Sequence, residues 1–206
     1  MKRTPLAGPL PAKQDRSRRT RDALMAAGWT LLERQAWQDI SVIQIATEAG
    51  VSVGSFYTRF ATKEAFFESL SAAWIERRRE QRKAFMAGMS PQVDYAAECI
   101  LWTYRSLMRY SNFWTAALAK GAGSPDFWRP FRESALIMID NVVDLRSAQL
   151  GRSLTADETR HIRFAFQMTN GLINNSIVNR PGPIMLGTPE FESELVRGLK
   201  AVAGIA

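Results

Sequence analysis

Apolar residues recur at helical spacing along most of the chain, and few stretches alternate with period two. Leu24, Ala27, Leu31 and Leu32 fall on one face of a helix predicted from Ser17 to Gln35. Ile45, Ala46 and Ala49 make a second, shorter apolar face, which Gly50 closes. Phe66, Phe67, Leu70 and Trp74 form the stripe of a longer helix that ends in the charged run RRREQRK, Arg77 to Lys83. Ile162, Phe166, Thr169 and Ile173 mark another face. No window approaches ~20 uncharged apolar residues, so no membrane span is predicted. The pattern predicts an all-α fold of about nine helices with no sheet.

Helix starts carry their own signals. Ser41-Val-Ile-Gln44 and Thr155-Ala-Asp-Glu158 have the form of capping boxes, in which hydroxyl and third-residue side chain satisfy two backbone N–H groups reciprocally. Thr62 can cap the helix of Phe66. Ser90-Pro91, Ser124-Pro125 and Thr188-Pro189 each place a hydroxyl before a proline suited to a first helical turn. A turn near Asn112 is expected to split the region between Pro91 and Gly121.

Two short helices, about Ser41–Ala49 and Ser52–Phe60, meet at Gly50-Val51. Neither is long enough to bury its own apolar face, so both need the helices before and after them. A short pair with a tight glycine turn is the helix-turn-helix arrangement, whose second helix is presented to the major groove. In that helix Phe56 and Phe60 are expected to face inward, with Ser55, Thr58 and Arg59 outward and Ser52 and Val53 leading. Gly54 costs about 1 kcal/mol of helix propensity and allows close approach of either the preceding helix or a DNA backbone. Lys63 opens the next helix against its macrodipole. A phosphate outside that terminus would reverse the sign, and the Tyr57 hydroxyl can reach the same backbone.

Charge supports this reading. The net charge is +7, and residues 1–21 alone hold seven basic residues and one acidic one. A basic arm meets nucleic acid or remains a solvated tail. Its early prolines disfavour a basic amphipathic membrane helix. The only cysteine, Cys99, lies among Ala97, Ile100 and Leu101 and reads as a buried small hydrophobe in a reducing compartment. One histidine, His161, and one cysteine without a partner motif make an enzyme a poor reading, and no metal set or cofactor motif is present. Farther on, Trp102, Phe113, Trp114, Phe127, Trp128 and Phe131 cluster in sequence, and Asn170 offers a polar group. These residues either line an apolar ligand cavity or form ordinary core.

The stretch SVIQIATEAGVSVGSFYTRFATKEAFFESL resembles the DNA-binding domain of the tetracycline-repressor (TetR) family of bacterial transcription regulators. The matching positions are Ser41, Ile45-Ala46, Ala49-Gly50-Val51-Ser52, Gly54, Tyr57, Phe60 and Lys63-Glu64. The resemblance covers residues 17–70. It implies a homodimer on a palindromic double-stranded operator, most often a repressor released by a small molecule, with no resident cofactor. The aromatic cluster points to an apolar or aromatic effector, and the absence of a targeting signal or membrane span to the cytoplasm. An activator or a ligand-independent regulator would share the pattern. By the same resemblance Ser41, Tyr57 and Lys63 contact phosphates, while Val53, Gly54, Ser55, Thr58 and Arg59 approach bases or adjacent backbone, with Ser52 at the leading end. The expected organisation is a flexible basic arm over residues 1–16, a DNA-binding domain over 17–64 and a ligand-binding and dimerisation domain over 65–206. The helix after Thr155 and the last helix would form the dimer interface, and Ile184-Met185-Leu186 would be buried near it.

Overall fold

The structure is a computed structural model that describes residues 11–205. The described residues contain nine α-helices and no strand: α1 Pro11–Arg34, α2 Val42–Glu48, α3 Val53–Tyr57, α4 Lys63–Ala87, α5 Tyr95–Arg109, α6 Ser111–Gly121, α7 Pro125–Leu150, α8 Ala156–Asn179 and α9 Pro189–Ala203. A 3-10 turn at Trp37–Asp39 joins α1 to α2. The chain divides into two compact units, one ending at Ala72 and one beginning at Ala73.

Helix α1 begins at Pro11, six residues before the expected start at Ser17. Proline is suited to a first helical turn. The residues after it carry no apolar face, so hydrophobic spacing could not reveal that part of the helix. Of the expected arm, residues 1–10 lie outside the described residues, and Arg16, Arg18, Arg19 and Arg21 are exposed on α1.

The core of the first unit is aromatic. Phe56, Phe66, Phe67, Leu24, Ile45 and Leu70 are buried to within a few per cent. Phe66 packs edge-on against Phe60 at 4.8 Å between centroids and tilted against Phe56 at 5.4 Å. Truncating a ring in such a cluster to alanine costs about 3–5 kcal/mol. Gly28 of α1 belongs to this packing, since a Cβ there would come within 2.7 Å of Phe66. The expected boundary after Glu64 would separate Phe66, Phe67 and Leu70 from this core. They stand within the first unit, which extends to Ala72.

In the second unit α5 packs on α7, α8 and α9, and α8 packs on α7 and α9. Three of the sequence signals behave differently here. Ser90-Pro91 starts a turn, closed by Val93 N–H on the Ser90 carbonyl, and α5 is capped by Asp94, which accepts from Ala97 N–H at 3.2 Å. Proline suits the second position of such a turn as well as it suits a helix start. Ser124 precedes α7 as expected, but its hydroxyl makes no cap bond. Within the single chain Ile184 and Leu186 are half-buried and Met185 is 46 % exposed, and two side-chain hydroxyls anchor the loop's backbone. Gly187 N–H donates to the buried Tyr104 hydroxyl at 2.8 Å, and the Thr188 hydroxyl donates to the Met185 carbonyl. The boxes at Ser41 and Thr155 form with both bonds, and Thr188 caps α9. Cys99 is buried, and burial pushes its thiol pKa up to about 12.

Candidate functional site

The helix pair of the first unit is built from its caps. Ser41 Oγ accepts from Gln44 N–H at 3.1 Å, and Gln44 Oε1 accepts from Ser41 N–H at 2.7 Å. Helix α2 ends in a Schellman pair: Val51 N–H donates to the Ala46 carbonyl and Gly50 N–H to the Thr47 carbonyl. That turn needs a positive φ, which Gly50 supplies at 65°. Ser52 then caps α3 by accepting from Ser55 N–H at 3.1 Å. Turn and caps together fix the direction of a helix only five residues long.

One face of α3 is anchored and the other is open. Phe56 is fully buried, and Phe60 just beyond the helix is buried beside it. Ser52, Val53, Gly54, Tyr57 and Thr58 are exposed, with Tyr57 at 53 %. The Tyr57 ring rests edge-on against Phe56, which orients the phenol outward on a buried support. The Thr58 hydroxyl donates to the Gly54 carbonyl at 2.8 Å. A Cβ at Gly54 would meet nothing closer than Ser52 Oγ at 3.8 Å. The preceding helix therefore does not require this glycine. Ser41 and Ile43 of α2 are exposed alongside, Ile43 at 66 %.

Two expected outward residues are placed otherwise. Ser55 and Arg59 are half-buried. The Arg59 guanidinium donates through Nε to the Ser17 carbonyl of α1 at 3.3 Å and through Nη1 to the Ser55 carbonyl at 3.1 Å. It ties α1 to α3. Lys63 is half-buried too. Its ammonium donates to the Trp37 carbonyl at 2.8 Å and lies 4.5 Å from the Trp37 ring centroid. Burial lowers its pKa, with Glu64 and Asp39 opposing. The lysine thus joins the 3-10 turn to the start of α4, where Thr62 Oγ1 accepts from Ala65 N–H at 3.0 Å. An ammonium has three donors, so two remain for an outside acceptor.

The second unit holds a cavity of about 240 Å³. Trp74, Trp114, Trp128 and Phe131 form one aromatic wall, with centroids 5.1 to 5.7 Å apart in each contacting pair. Trp102 and Asn170 line it from α5 and α8. Trp102, Trp114, Trp128, Phe131 and Asn170 of the sequence-derived set thus come together. Phe113 and Phe127 do not: Phe113 is buried against Trp74, and Phe127 lies tilted against Phe131 and does not line the cavity. Sequence reasoning missed Arg78 and Arg82, which also line the cavity and are 8 % and 6 % exposed. They lay within the run RRREQRK, read as a charged helix end. Their signal was spacing, since Trp74, Arg78 and Arg82 continue the buried stripe of α4 at intervals of four. No helix among the described residues is long and apolar enough to cross a membrane, and no group of acidic, histidine or cysteine residues there could hold a metal.

Residues 24–70 match the sequence profile described as bacterial regulatory proteins, tetR family. No curated protein matches the chain. Among solved structures, a TetR transcriptional regulator from Rhodococcus sp. RHA1 is 22 % identical, with a TM-score of 0.57 over 91 % of this chain and 97 % of that one. Salmonella enterica GusR is 17 % identical, with a TM-score of 0.61 over 97 % and 98 %. The dihydroxyacetone kinase operon activator DhaS is 18 % identical, with a TM-score of 0.53 over 90 % and 96 %. At these identities the likeness is one of fold.

Proposed function

The chain belongs to the tetR family of bacterial regulatory proteins, and from that premise we propose that it is a repressor released from a palindromic operator by a small molecule. That family is made of transcription regulators, not enzymes. The observation that carries the reading is the open face of α3: Ser52, Val53, Gly54, Tyr57 and Thr58 are exposed on a helix whose opposite side is fixed by Phe56. Backbone can approach Gly54, a methyl can be offered by Val53, and hydroxyls can be offered by Ser52 and Thr58. Tyr57, Ser41 and the two remaining donors of Lys63 serve phosphates. Arg59 ties α3 to α1 through the Ser17 carbonyl and keeps three further N–H donors for the DNA, beside Ser55. The protein acts in the cytoplasm as a homodimer. Two α3 helices then enter successive major grooves, with half-site centres about one helical turn apart or somewhat more. The cavity of the second unit takes the effector.

The experiment is an anisotropy titration of the full chain with DNA from upstream of its own gene, against scrambled DNA, at several salt concentrations. Selective binding with a steep salt slope is expected. Tyr57→Phe should weaken binding to every sequence by a similar factor, whereas Val53→Ala should change preference among operator variants. Equal losses from both on every DNA would overturn this division of roles. Transcription in vitro from the same DNA should fall on adding the protein, and a rise would mark an activator.

A further inference from the structure

We infer that the effector is an organic anion: a flat aromatic acid whose carboxylate is received by Arg78 and Arg82 and whose ring lies against the indoles. This rests on the reading of the cavity as an effector site. Three observations carry it. Three arginines, Arg78, Arg82 and Arg132, line the cavity, and none of its lining residues is acidic. Arg78 and Arg82 are more than nine-tenths buried, and neither makes an ion pair. A buried charge of this kind is ordinarily matched by a carboxylate.

What neutralises them instead is weak. Arg78 lies over Trp102 at 3.5 Å and near Trp74 at 5.5 Å, and it makes no hydrogen bond among the described residues. Arg82 donates through Nη1 to the Ser134 hydroxyl at 2.9 Å and to the Ser134 carbonyl at 3.0 Å, both neutral acceptors. Burial and the like charge of Arg82 lower the Arg78 pKa to about 9, with Tyr110 opposing. The indole N–H of Trp74, another lining residue, is buried without an acceptor. The cavity therefore holds charged donors and no charged acceptor. Asn174 contributes its carbonyl oxygen to Trp114 Nε1 at 2.8 Å, which turns its amide donors away from that bond.

The aromatic wall selects the rest of the molecule. A volume of about 240 Å³ suits one or two fused rings with a short acid arm. Guanidinium groups suit a planar carboxylate, which can accept two parallel bonds.

The test uses the full-length protein and calorimetric titration with paired probes: benzoate, phenylacetate, 1-naphthoate and 2-naphthoate, each against its primary amide. At least one acid is expected to bind ten times or more tightly than its amide. Arg78→Met and Arg82→Met should each bring the pair to near equality, while Arg78→Lys should keep part of the preference. If no acid outbinds its amide in the unaltered protein, the inference fails whatever the variants do. It fails equally if the preference survives Arg78→Met and Arg82→Met. Operator anisotropy is read separately. Acid selectivity without an effect on DNA binding would leave the anion site standing and remove the effector reading, and release of DNA by the amide as readily as by the acid would remove the anion.

Discussion

Two glycines in the first unit have opposite reasons to exist. Gly28 faces the buried Phe66 ring, so a methyl group there must displace a core side chain. Gly28→Ala is expected to cost about 1–3 kcal/mol in chemical unfolding. Gly54 has room for a Cβ, which would meet Ser52 Oγ at an ordinary contact distance of 3.8 Å, and alanine favours a helix by up to about 1 kcal/mol. Gly54→Ala should therefore leave the protein as stable or more so. Operator affinity should nevertheless fall about tenfold or more if backbone closes on that position, a loss of about 1.4 kcal/mol. Stability and affinity moving down together would show that Gly54 serves the fold. Cys99 gives a simpler residue-level check: with its thiol pKa at about 12, it should resist alkylation at neutral pH until the protein unfolds.

At the scale of elements, caps were legible and helix interiors only partly so. The Ser41 and Thr155 boxes formed as spaced because such motifs are local and need nothing from the rest of the chain. Ser90-Pro91 was ambiguous, because the same dipeptide opens a turn or a helix and only Asp94 downstream decides it. Arg59 and Lys63 could not be placed from periodicity, since the carbonyls that hold them, Ser17 and Trp37, lie 42 and 26 residues away in sequence. Arg78 and Arg82 stayed hidden because composition reads arginine as surface, whereas the stripe they continue is buried. The Thr155 box also carries a pH prediction. The Glu158 carboxylate accepts from Arg152 and from Thr155 N–H, which lowers its pKa from 4.5 to about 2. A depressed folded pKa stabilises above the unfolded value and is lost on protonation. Glu158→Gln should lower the melting temperature at neutral pH, and the difference should close as pH falls from 4.5 toward 2. A difference that persists unchanged at pH 2 would assign the effect to geometry instead of charge.

At the scale of the whole molecule, the proposed dimer and the cavity can be separated by experiment. Phe164, Met168 and Leu172 stand four apart on α8 and are 53 %, 39 % and 46 % exposed, while Ile162, Phe166 and Ile173 bury its other side. An apolar stripe of this kind on an exposed helix marks an interaction surface. In a two-fold interface the same stripe meets itself, so Leu172→Glu brings two carboxylates together while leaving the buried face intact. Light scattering should then report the mass of one chain. Operator affinity should drop by about two to four decades, because the second half-site is no longer held at high effective concentration. Acid binding should be unchanged, because Arg78, Arg82 and the indoles proposed to receive the acid come from one chain. In the intact dimer, linkage requires that whatever factor the acid takes from operator affinity, the operator takes from acid affinity. A Leu172→Glu variant that stays dimeric would move the interface elsewhere. One that becomes monomeric and loses the acid would show that the partner completes the cavity.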